Sequence, residues 1–160
     1  MRTALALAWA LAACALWSLP AHATDITATG SWTLAIGAGD LVTGPGSDLN
    51  GTYASAAAQV TIDIVNVPGP DGQWRVDVRR SDAAWHADLV LWARRTGDGA
   101  GTGSIAGGTV YQPVGTTDAE SFSGGRDRTG ISVQFQLTGV SVGVPPATYT
   151  TTVIYTVVDM

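Results

Sequence analysis

His86 is the one place in this chain where acid–base chemistry could start: it sits between Trp85 and Ala87, with Asp82 and Asp88 close by. A histidine oriented by a carboxylate becomes a catalytic base only when a nucleophile stands on its other side. The nucleophile that His86 would need is not identified beside it in the sequence. Glycoside hydrolysis instead needs two carboxyl groups facing one bond. The thirteen acids are scattered, Glu120 is the one glutamate, and no pair stands out. The expectation is a protein with no catalytic residues and no cofactor. Asp48-Leu49-Asn50-Gly51-Thr52 places oxygen donors at alternate positions before a glycine, as calcium loops do, but the acid that should close the loop is missing. A hairpin turn on Asn50-Gly51, two residues that tolerate positive φ, accounts for the same residues, so no metal site is expected.

Binding chemistry rests on aromatic rings. An exposed Trp or Tyr can stack on the apolar face of a sugar, and Trp85 and Tyr111 are the candidate ligand-binding residues. Trp32 and Trp74 alternate with polar residues, and these two and Trp92 are read as core. The pairs Arg79-Arg80 and Arg94-Arg95, and Arg126-Asp127-Arg128, are too small and too mixed in sign to form a basic patch. They are read as solvated edges and turns. Past residue 23 the chain has seven arginines, no lysine and thirteen acids, a net charge of −6 that repels nucleic acid and anionic membranes.

The first 23 residues explain where such a protein works. Arg2, the apolar run from Ala4 to Leu19 and the triplet Ala21-His22-Ala23 read as a secretory signal peptide cut before Thr24. Leu11-Ala12-Ala13-Cys14 also matches the motif that attaches a lipid to cysteine. Because Ala15 to Leu19 prolong the apolar run beyond it, cleavage after Ala23 is the expected outcome. The run is too short to span a bilayer. Cys14, the sole cysteine, leaves with the signal, so neither disulfide nor thiolate chemistry is expected. The 137 residues from 24 to 160 suit one domain, secreted to the periplasm, the exterior or the cell surface.

The elements that must position all of this are strands. Ile131, Val133, Phe135 and Leu137 alternate with polar residues, as do Trp74, Val76 and Val78, and Val60, Ile62 and Ile64. A period of two puts the apolar side chains on one face. Trp32, Leu34 and Ile36 predict an early strand, Asp88 to Arg94 another, and the Thr/Val/Ile-rich run Thr148 to Val158 a last one. Tyr53 to Ala58 could form a turn of helix, and Gly97 to Gly108 reads as a hairpin loop. Turn signals at Asn50-Gly51, Pro68 to Gly72, Gly124-Gly125 and Pro145-Pro146 fit antiparallel connections. The fold expected is all-β, an antiparallel β-sandwich. An outer-membrane barrel would need longer, uninterrupted apolar strands.

The segment Pro146-Ala147-Thr148-Tyr149-Thr150-Thr151-Thr152-Val153-Ile154-Tyr155-Thr156-Val157 resembles the closing strand of secreted spore coat U and fimbrial-type domains, with Thr148 where those carry glycine. The resemblance implies an Ig-like or pilin-like subunit of a surface coat or appendage, without catalytic residues. Two function classes follow. The first is a structural or adhesive surface protein that engages copies of itself, or other surface proteins, by strand addition. In that reading Thr24 to Gly30 is an arm whose alternating Ile26 and Ala28 add to a neighbour. The second is an extracellular module that binds carbohydrate or another small ligand.

Overall fold

Residues 23–160 are described by the computed structural model; the signal segment up to residue 22, with Cys14, lies outside them. The strands are β1 (Asp25–Gly30), β2 (Thr52–Ala54), β3 (Val60–Val65), β4 (Gln73–Ala84), β5 (Val90–Gly97), β6 (Ala100–Gly101), β7 (Ile105–Gly107), β8 (Gln112–Pro113), β9 (Ala119–Gly125), β10 (Arg128–Thr138) and β11 (Thr150–Asp159). They form two antiparallel sheets. The first runs β1-β3-β10-β5-β8, and β2 and β6 also pair with β10; the second runs β11-β4-β9-β7. From β3 onward almost every connection crosses between sheets, so each apolar face meets the other across one core. This is the β-sandwich expected from the alternation.

The periodic strands hold that core. Ile62, Ile64, Trp74, Val76 and Ile131 are fully buried, and Val60, Val78, Val133, Phe122 and Phe135 nearly so. β10 is the spine. β3 and β2 lie end to end along one side of it, and β5 and β6 along the other. Ser55 bridges the gap after β2, its amide donating to the Phe135 carbonyl and its hydroxyl accepting from the Phe135 amide, both at 2.9 Å.

Several expectations need correction. Residues 31–37 form no strand, because the places beside β3 and β10 are already taken by β1 and β2. The alternation there still shows in part: Trp32 and Leu34 are half-buried, Ile36 is exposed, and the Trp32 ring stacks on Phe135 at 6.5 Å. Tyr53 lies in β2, not in a turn of helix. Trp92 is not core. On β5 the buried face carries Leu91, Ala93 and Arg95, so Trp92 points outward and its indole N–H donates to the Thr138 hydroxyl. Neither Asn50 nor Gly51 takes positive φ; the tight turn lies at 44–47, closed by the Ser47 amide on the Gly44 carbonyl.

Gly124-Gly125 also falls inside β9 and not in a turn. A Cβ on Gly124 would sit 2.6 Å from the Trp74 ring, so glycine is needed there for close packing. The turn itself is made at Arg126, whose φ is 59°.

Arg95 and Arg128 are the largest departure, since each is only 6% exposed and neither is the solvated edge residue expected. Arg95 donates Nε–H to the Gly107 carbonyl at 3.0 Å and pairs with the Asp98 carboxylate. Arg128 donates to the Asp98 carbonyl at 2.9 Å and to the Gly103 carbonyl. Burial, and then the neighbouring charge of Arg128, push the Arg95 guanidinium below its ordinary range. It still stays protonated. The glycine-rich segment 97–108 is therefore no simple hairpin: it carries β6 and β7 into different sheets, wrapped on two guanidinium groups that meet its carbonyls.

Candidate functional site

The free edges of the two sheets differ sharply between the two flanks of the sandwich. On one flank the outer strands are short: β8 has two residues, one of them Pro113, and β7 has three. Proline and brevity are the usual guards against strand pairing. On the other flank lie β1, six residues long, and β11, ten residues long. β11 pairs along its whole length with β4, from Thr150↔Ala84 to Asp159↔Trp74, and its opposite side meets no strand among the described residues. It holds no lysine, arginine or proline, and its one charge is Asp159 at the end. Its single register irregularity falls at Thr150/Thr151, leaving a regular run beyond.

Alternation along β11 decides what the edge displays. Val153, Tyr155 and Val157 face the core, but they remain half-buried where the central strands are sealed. Thr150, Thr152 and Thr156 are exposed. Tyr155 keeps its hydroxyl inside the protein without a hydrogen-bond partner among the described residues, and burial pushes its pKa well above the ordinary tyrosine value. The flank thus combines an unpaired backbone ladder with an incompletely covered apolar row. Main-chain N–H and C=O groups on such an edge can accept another strand in register, and the apolar row can bury side chains of that strand.

Ile26 and Ala28 lie on this flank, in β1, and not on a loose arm. β1 pairs with β3 of its own chain from Asp25↔Val65 to Gly30↔Val60. Ile26 packs against the core and Ala28 is exposed. β1 and β11 meet at one corner, where the Thr24 hydroxyl and amide both donate to the Asp159 carboxylate.

Of the candidate ligand residues, Trp85 directly follows Ala84, the β4 partner of Thr150, and Tyr111 directly precedes β8 on the other flank. Trp85 packs against the core, donates its indole N–H to the Leu89 carbonyl at 2.8 Å and lies under the Arg80 guanidinium at 5.1 Å. Tyr111 covers the Arg94 guanidinium at 4.6 Å, and Gln134 accepts from that same guanidinium at 2.8 and 3.0 Å. Asp82 is paired with Arg80, whereas His86 lies 3.7 Å from Asp88 and edge-on to Tyr149. The Asp48 carboxylate accepts the amides of Val142 and Leu49, which lower its pKa and tie two loops together.

Sequence reasoning missed a cleft of about 330 Å³ at the end of the sandwich where these loops gather, lined by Ile36, Leu41, Leu49, Val142, Val144 and Pro146. Its apolar residues come from three separate loop segments, and only Ile36 belongs to a run that predicted a strand, so no pattern announced the cleft. Comparison of the chain with protein-family models, with curated proteins and with solved structures finds no match.

Proposed function

We propose that this chain is a secreted structural or adhesive subunit of a bacterial surface coat or appendage, which engages further copies of itself by strand addition along the β1/β11 flank. The observation that carries this reading is the edge of β11: ten residues, regular beyond Thr151, uncharged until Asp159 and unguarded, while the opposite flank is blunted. The signal-like N-terminal segment and the resemblance of the closing strand support the surface location. Backbone hydrogen bonds supply the affinity, and threonines on the outer face suit a sheet that continues into a neighbour.

Sedimentation velocity of the secreted chain over a concentration series tests it. The expected result is association that rises with concentration and is lost when Thr152→Lys and Thr156→Lys place charges on the edge. A monomer at every concentration, or equal association in the variant, overturns the reading.

A second reading is favoured by the cleft at the loop end, whose volume lies in the lower range of small-ligand sites. It makes the chain an extracellular binding module for a small apolar ligand. An environment-sensitive apolar dye that binds the wild type and is lost with Leu49→Asp would support it; no binding by the wild type would remove it.

A further inference from the structure

We propose that hydrolysis of the Ala23–Thr24 bond creates a functional group of the folded protein: an ammonium at Thr24 that clasps Asp159 and locks the two sheets together at the open flank. The inference rests on the secretory reading above and adds a structural role for the cut. Water adds across the amide, leaving a carboxylate on Ala23 and an amine on Thr24 that takes up a proton.

The geometry is already in place around that nitrogen. Ala23 is exposed, but Thr24 is only 7% exposed, and β1 begins at the next residue. The Thr24 nitrogen lies 3.4 Å from Asp159 Oδ2, and the Thr24 hydroxyl donates to Oδ1. Both residues are in step with the core-facing side chains of their strands, Thr24 with Ile26 and Asp159 with Val157. Thr24 is buried and Asp159 is exposed, so the pair caps the corner where β1 of one sheet meets β11 of the other.

In the uncut chain this nitrogen is an amide with one hydrogen and no charge. In the cut chain it has three donors and a full charge within ion-pair distance of a carboxylate. A largely buried charge is tolerated only with such a partner. A cut two residues earlier, or at Cys14, leaves the amide in place and the contact weak. The same clasp holds the end of β11 against β4, where the Met160 amide donates to the Gln73 carbonyl at 3.0 Å.

The test is a cycle of four proteins: the chain beginning at Thr24 and the chain beginning at Ala23, each with Asp159 and with Asp159→Asn. Unfolding in urea is followed by Trp fluorescence. Asp159→Asn is expected to raise the unfolding equilibrium constant about ten-fold more in the Thr24 chain than in the Ala23 chain, between the effects of exposed and fully buried pairs. Acetylating the Thr24 amine, which removes the charge without touching Asp159, is expected to reproduce that loss. Equal effects of Asp159→Asn in both chains, with no effect of acetylation, overturn the clasp even if the secreted protein does begin at Thr24. An N-terminus found elsewhere by intact mass, or a lipid on Cys14, overturns the cut itself.

Discussion

Replacing Arg128 by methionine keeps an unbranched apolar stem and removes two charge-assisted hydrogen bonds, to the carbonyls of Asp98 and Gly103. Bonds of this type contribute about 1.5–3 kcal/mol each to stability. Two terms reduce the sum. Gly103 is only half-buried and Asp98 is exposed, so water can reach their carbonyls once the guanidinium is gone. Removing one of two neighbouring buried cations also relieves Arg95, whose pKa is held down partly by Arg128. A net loss of roughly 2–4 kcal/mol remains. The loss has a location as well as a size, because the Arg128 bonds hold the segment 97–108 against β10. Amide hydrogen exchange should therefore accelerate first at residues 98–108, while Val76, Ile62 and Val133 stay protected until global unfolding. Arg95→Met should cost less, since one carbonyl bond and a pairing with a 67% exposed carboxylate are lost. The double variant should fall short of the sum of the two. If Arg128→Met is as stable as the wild type, with exchange in 98–108 unchanged, the guanidinium groups do not organise this segment.

Phe135→Ala should cost about 3–5 kcal/mol in chemical denaturation, through loss of a buried ring stacked by Trp32, whereas Thr156→Ala on the outer face should cost little. Gly124→Ala should destabilise by roughly 1–3 kcal/mol, because its methyl group meets the Trp74 ring and forces repacking, read as a lower thermal midpoint. The Tyr155 hydroxyl stays neutral in the fold above the pH where an unfolded tyrosine ionises, about 10. Its contribution to stability is therefore complete below pH 10 and lost as pH rises beyond it, and its tyrosinate absorbance should appear only with unfolding.

The sandwich was legible because its central strands alternate: Trp74-Val76-Val78, Val60-Ile62-Ile64 and Ile131-Val133-Phe135 bury the predicted face, and only Leu137, at the end of its run, stays half-buried. The same signal misled at Trp32-Leu34-Ile36. There alternation told that Trp32 and Leu34 turn inward, but Ile36 is exposed, and the signal is silent on whether a partner strand is available. Arg95 and Arg128 escaped because their partners are backbone carbonyls of a glycine-rich segment, which no side-chain pattern displays. Trp92 was misplaced by type, since a large ring reads as core, although its parity with Leu91 and Ala93 already put it on the opposite face. Of the candidate assembly site, the strand itself was visible in its Thr/Val/Ile composition. Its place at an edge depends on which strands pair, and the asymmetry between the two flanks emerges only from the complete topology.

Hydrogen exchange at the β11 amides, compared between dilute and concentrated secreted protein, tests strand addition most directly. Along Thr150–Asp159 the amides that do not bond to β4 face solvent in a monomer and should exchange fast. Concentrating the protein should protect those outward amides in alternation along β11, and Thr152→Lys with Thr156→Lys should abolish the added protection. Outward amides that exchange equally fast at every concentration, or protection that survives both lysines, would contradict the account.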